Sequence, residues 1–164
     1  MGNKDLTFIT KDGKFNYRVA AIIIKDNKVL MISHNGVPYY YSIGGRVKFN
    51  ETSEEAVIRE AFEETGVKFK IDRLGFLHEN FFEEEGTKEF YHEIDFFYYL
   101  KSDEEFEVVC DSVNEYGNKE YFEWLPIDKL NEYKIYPEFF KERLIKDSNI
   151  VEHLITRNNE TVLK

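Results

Sequence analysis

One stretch of the chain, Gly44 to Val67 (GGRVKFNETSEEAVIREAFEETGV), commits a segment to a helix and crowds that helix with glutamate. Thr52 is a good N-cap, and Glu55 three residues later completes an S/T-x-x-E capping box. Glu54 and Glu55 fall in the first turn, where the helix dipole favours negative charge. The pairs Val57/Ala61 and Ile58/Phe62 stand four apart, the spacing of a core-facing stripe. Gly66 offers the left-handed residue that ends many helices. Glu60, Glu63 and Glu64 occupy i, i+3 and i+4, so they project from one face. Like charges at that spacing repel by about 0.2–0.5 kcal/mol per pair. A helix gains nothing structural from collecting them, whereas a hard divalent cation binds such a cluster through oxygen. Arg59 can reach Glu55 or Glu63 along the helix, or Glu51 in the preceding loop.

Around this helix the chain reads as β-structure. Tyr17–Ile24 (YRVAAIII) is an apolar, β-branched run suited to a buried strand, and Val29–Ser33 returns from the Lys25–Lys28 turn as its hairpin partner. Lys68–Phe82 and Phe90–Leu100 form a second hairpin across the polar turn Glu83–Thr87. A short strand is expected at Val108-Val109 and a final one at Glu120–Leu125, followed by a short helix from Pro126 to Leu130. Pro137 suits a first helical position. Phe139, Phe140 and Leu144, then Ile150, Val151, Leu154 and Ile155, recur at helical spacing, so C-terminal helices are expected over 137–157. His78 and His92 sit on strands without the spacing of a zinc site. Tyr39, Tyr40 and Tyr41 are either strand and rim residues or a base-stacking platform.

Strands flanking helices in this order predict an α/β fold, an α/β/α sandwich around a mixed β-sheet. At 164 residues one domain, 1–164, is the default, with its core over about 16–131. A net charge of −10 argues against a basic patch that holds nucleic acid. It also repels a phosphate substrate unless metal ions neutralise the site. The lone Cys110 excludes an internal disulfide. No signal peptide or stretch of 18 apolar residues is visible, so a soluble, cytoplasmic protein without membrane attachment is expected.

Gly45, Glu51, Arg59-Glu60, Ala61, Glu63-Glu64, Gly66 and Val67 match, in order and spacing, the signature box of the Nudix hydrolases. The chain resembles that family with every polar position filled. Ala61 stands where a larger aliphatic is usual, and Ile43 where many members have proline. The resemblance implies the Nudix fold and a MutT-like pyrophosphohydrolase that uses Mg²⁺ or Mn²⁺. It makes Glu60, Glu63 and Glu64 metal ligands, with the Gly44 carbonyl and an acid from a late loop completing the site. Glu120 is the candidate for that acid, with Glu115 and Glu123 behind it. Glu60, Arg59 and Glu63 form the expected catalytic set, Glu60 as proton acceptor and Arg59 as the residue that orients the glutamates. Tyr40 and Arg46 are expected to touch substrate.

The expected partner is a small nucleotide, a nucleoside diphosphate linked to another moiety, with a nucleoside triphosphate as first choice. Stable nucleic-acid binding is not expected, and a homodimer is left open. ADP-ribose-cleaving relatives often carry a proline some way beyond the box, and none lies between Pro38 and Pro126 here. An ADP-ribose or nucleotide-sugar pyrophosphatase is one alternative. A non-catalytic nucleotide-sensing module is another, but such modules commonly lose box glutamates and this chain keeps them.

Overall fold

The structure, a computed structural model, describes residues 4–108, 113, 117–146, 148–158 and 160–163. Its spine is β2 (Gly13–Lys25), the apolar run read above with a longer start. One edge of β2 pairs in parallel with β7 (Phe90–Lys101). The other edge pairs antiparallel with β1 (Thr7–Thr10), then β5 (Ile43–Arg46), and finally the hairpin partner β3 (Lys28–His34). β7 continues antiparallel to β6 (Lys70–Glu83), the second hairpin. β3 carries β8 (Glu120–Pro126) antiparallel at its side and meets β4 (Tyr40–Tyr41), which pairs in parallel with β9 (Ile135–Tyr136). Among the described residues this makes one mixed, 11-stranded sheet.

Side chains along a strand alternate between faces, and on β2 both faces are buried. Val19, Ala21 and Ile23 join a core capped by helix α1 (Ser53–Thr65), which contributes Ala56, Val57 and Ala61. Ala20 and Ile22 face a second core, covered by the 3₁₀ helix Ile127–Glu132 and the short helix α2 (Phe140–Arg143). The layers are therefore helix, sheet, helix. Each fully buried Ile or Leu contributes about 1.5–3 kcal/mol, so two such cores fix β2 from both sides.

The box helix forms as its caps dictate. Thr52 Oγ1 accepts from the Glu55 amide at 3.1 Å, Glu55 Oε2 accepts from the Thr52 amide at 2.9 Å, and Gly66 closes the helix at φ 72°. Its stripe is narrower than expected: Val57 and Ala61 are buried, while Phe62 is 46% exposed.

The C-terminal helices expected over 137–157 are corrected. Helix α2 is a single turn, and Glu152–Arg157 forms strand β10, which pairs in parallel with β6 and turns back as β11 (Glu160–Leu163). Leu154 is fully buried, whereas Ile150 is 74% and Val151 48% exposed. The apolar spacing fitted a helix, but a short apolar run suits either element. The long, otherwise open edge of β6 supplies backbone partners that decide for the strand. Val108 lies in no regular element, and Val109, Cys110 and Glu115 fall outside the described residues. No helix among the described residues is long and apolar enough to cross a membrane.

Candidate active site

Helix α1 lies against β5, and the double glycine makes the close approach possible. A Cβ at Gly45 would overlap the carboxylate of Glu60, so only glycine lets the helix settle there. The Arg59 guanidinium then ties the loop to the helix. Its Nε and Nη2 donate to the two oxygens of Glu51 at 2.7 and 2.9 Å. Nη1 donates to Glu60 Oε1 at 2.6 Å and Glu63 Oε2 at 3.3 Å, and Nη2 also reaches the Arg46 carbonyl at 3.1 Å. A two-pronged Arg–carboxylate pair is geometrically rigid. It holds the Glu51 carboxyl below the usual range, against the opposing effect of burial, with help from the Lys48 amide.

Glu64 has the most constrained environment of the box glutamates. Its carboxylate accepts from the Gly44 amide, yet its Oε2 is buried with no hydrogen-bond partner. Burial first, then the charges of Glu60 and Glu120, push its pKa up to about 8; the Gly44 amide and Arg18 oppose the shift. Glu120 is brought to the same place from β8, where it accepts from the Tyr41 hydroxyl at 2.8 Å. Strand alternation separates it from Glu123, which lies on the opposite face and accepts from the Tyr40 hydroxyl at 2.7 Å.

Tyr40 and Tyr41 part in the same way. Tyr40 packs against the α2-side core beside Tyr133, so the structure sets it on the other side of the sheet from the box glutamates. Tyr41 is the tyrosine that meets the Glu64–Glu120 pair. Glu63 projects outward, with its side chain 52% exposed. Arg46 is held between Asp5, at 3.8 Å, and Asn16 Oδ1, at 3.3 Å.

Sequence reasoning missed a polar group on the α2-side face. Arg18 pairs with Asp95 at 3.3 Å, and the charges of Glu60 and Glu64 also act on it. Asn16, buried beside it, donates to Glu93 at 2.7 Å. Burial and Glu93 raise the Asp95 pKa despite Arg18. A lone arginine inside the apolar run YRVAAIII was the available signal, because a buried cation needs a partner.

Among the described residues, no three His, Cys, Asp or Glu side chains already stand as a metal-binding group. Arg59 takes an oxygen of Glu60 and of Glu63, and unscreened carboxylates repel. The donors nevertheless fit a hard divalent cation. They are all oxygens, and the buried, unpartnered Glu64 Oε2 beside Glu60 and Glu120 is the group such an ion would satisfy.

A family model described as NUDIX domain matches residues 14–145. The chain therefore belongs to the Nudix hydrolase family, and its fold is the Nudix fold. It resembles an ADP-ribose pyrophosphatase from Methanocaldococcus jannaschii, 46% identical over 59 residues, a match spanning 34% of this chain and 35% of that relative. Its fold resembles the MutT protein of Bacillus halodurans, with a TM-score of 0.62 at 19% identity over 91% of this chain and 97% of the other. An ADP-ribose pyrophosphatase from Streptococcus suis superimposes with a TM-score of 0.55 at 15% identity, over 86% and 98% of the two chains.

Proposed function

We propose that the chain hydrolyses the diphosphate linkage of a small nucleotide with Mg²⁺ or Mn²⁺ held by Glu60, Glu64 and Glu120. Glu63 and the Gly44 carbonyl lie next to this set. The observation that carries the reading is the buried Glu64 carboxylate, with one oxygen unpartnered beside two further acids. A bound divalent cation there neutralises phosphate oxygens and makes a water acidic enough to attack.

The protein's own residues supply the rest. Glu51 and Arg59 fix the loop against the helix, so the Glu60 carboxylate is presented in one position. Water attack at phosphorus forms one P–O bond, breaks the bridging P–O bond and releases a proton, for which Glu60 is the acceptor. Arg18 adds positive charge within electrostatic reach of Glu60 and Glu64, which lowers the repulsion that an acidic chain presents to a polyanion.

A nucleoside triphosphate is the first substrate reading. ADP-ribose is the second, favoured by the partial match to a relative of that name. The test is turnover of both in ¹⁸O-labelled water with Mg²⁺. We expect label on a phosphate of one product, no turnover after chelation, and a loss of roughly 10²-fold or more in Glu64→Gln. Nucleotide-dependent melting shifts with no labelled product would instead make the chain a binding module.

A further inference from the structure

The sheet register gathers a set of rings and one cation beside the carboxylates. Glu120 on β8 is the Cα partner of His34 on β3, and Tyr41 on β4 is the partner of Tyr136 on β9. Residues two apart share a face, so Tyr39 and Tyr41 project together. The ring centroids of Tyr39 lie 6.5 Å from His34, 6.4 Å from Tyr41 and 5.5 Å from Tyr136. Tyr136 is 41% exposed, although an aromatic ring is costly to leave in water. The Lys134 ammonium sits 5.8 Å from the Tyr39 centroid and 5.9 Å from that of Tyr136.

Two features give this surface a ligand class. Its aromatic faces are open, and base–aromatic stacking needs only an exposed ring of either partner. Its charge is positive at the ring pair, in a chain of net charge −10, and Lys134 has no carboxylate partner within ion-pair distance among the described residues. The surface is continuous with the reaction site, because Tyr41 touches Tyr39 on one side and donates to Glu120 on the other. A ligand spanning both regions has an aromatic end and a polyanionic end.

We propose that Tyr39, Tyr136 and Lys134 form the subsite for the nucleobase of the substrate, with the phosphates directed past Tyr41 towards Glu64 and Glu120. This rests on the nucleotide-hydrolase reading and adds where the base goes. Stacking on Tyr136 discriminates nucleotides from base-free polyphosphates without selecting strongly among bases, since every base has a π-face.

The test compares ATP with methyl triphosphate, which keeps the phosphates and lacks the base. The ratio of kcat/KM for ATP to that for methyl triphosphate should fall about tenfold or more in Tyr136→Ala, in line with the usual strength of one stacking contact. Tyr136→Phe should restore the ratio. An equal loss on both substrates, or an unchanged ratio, overturns the subsite. A second readout needs no turnover: saturation-transfer NMR with AMP and no metal should carry magnetisation from the protein to the adenine protons and weaken in Tyr136→Ala. Failure to hydrolyse either compound defeats the nucleotide-hydrolase reading, while the NMR arm still decides the subsite. No transfer in the native protein, or equal transfer in the variant, overturns it.

Discussion

Glu64 shows how a site stores electrostatic cost in one residue. An ordinary carboxyl titrates near 4.5, whereas this one is pushed up to about 8 by burial, Glu60 and Glu120. Between those values the folded state holds a proton that the unfolded chain has released. Folding is therefore progressively disfavoured as pH rises from about 4.5, and the penalty levels off above about 8. We expect metal-free Glu64→Gln to match the native protein at pH 4 and to exceed it by about 3–5 kcal/mol at pH 9. Urea unfolding in chelator at the two pH values measures this. Saturating Mg²⁺ should cancel the variant's advantage, because a cation that binds only the folded native site stabilises it by mass action. Equal stability of the two proteins at pH 9 in chelator would remove Glu64 as the strained centre of the site.

At the scale of elements, β10 is where apolar spacing and tertiary pairing disagree. A helix through 150–155 would put Ile150 and Leu154, four apart, on one buried face. The strand buries Leu154 alone and leaves Ile150 74% exposed. Leu154→Ala should cost about 2–5 kcal/mol by opening the α2-side core. Ile150→Ala should stay within about 0.5 kcal/mol, as exposed substitutions do. Equal costs at both positions, measured by chemical denaturation, would restore the helix. The Arg143–Glu152 ion pair at 3.4 Å, between two largely buried side chains, also links α2 to β10.

For the whole molecule, the acid response is a sum of opposing titrations. Glu64 and Asp95 have raised pKa values, so their protonation favours the folded state as pH falls. His78 acts the other way. It is 3% exposed, its Nε2 faces Thr156 Oγ1 at 2.7 Å and Phe139 packs on its ring, and burial lowers its pKa from 6.5 to about 4. Between those values the unfolded chain takes up a proton that the folded one refuses, so His78 removes stability as pH drops from about 6.5 to about 4. The native protein should lose on the order of 3 kcal/mol more over that range than His78→Gln. Parallel pH–stability curves for the two would show that His78 titrates normally when folded.

The box helix, its caps, the two hairpins and the glutamate face were legible in the chain itself, because each rests on residues a few positions apart. Thr52 with Glu55, Arg59 with Glu51, and the alternation of YRVAAIII are local patterns whose physics is the same in any fold. The partner of Glu64 was different: β8 starts far along the chain, and strand parity against β3 admitted Glu120 and turned Glu123 away. The same parity sent Tyr41 to the carboxylates and Tyr40 to the far core. Arg18 met Asp95 only because β2 and β7 run side by side, and Leu154 became a strand residue only because β6 had an open edge. Local spacing determined the helix and its charges. Register between distant strands, set by which faces could be buried together, decided which residues share the site with them.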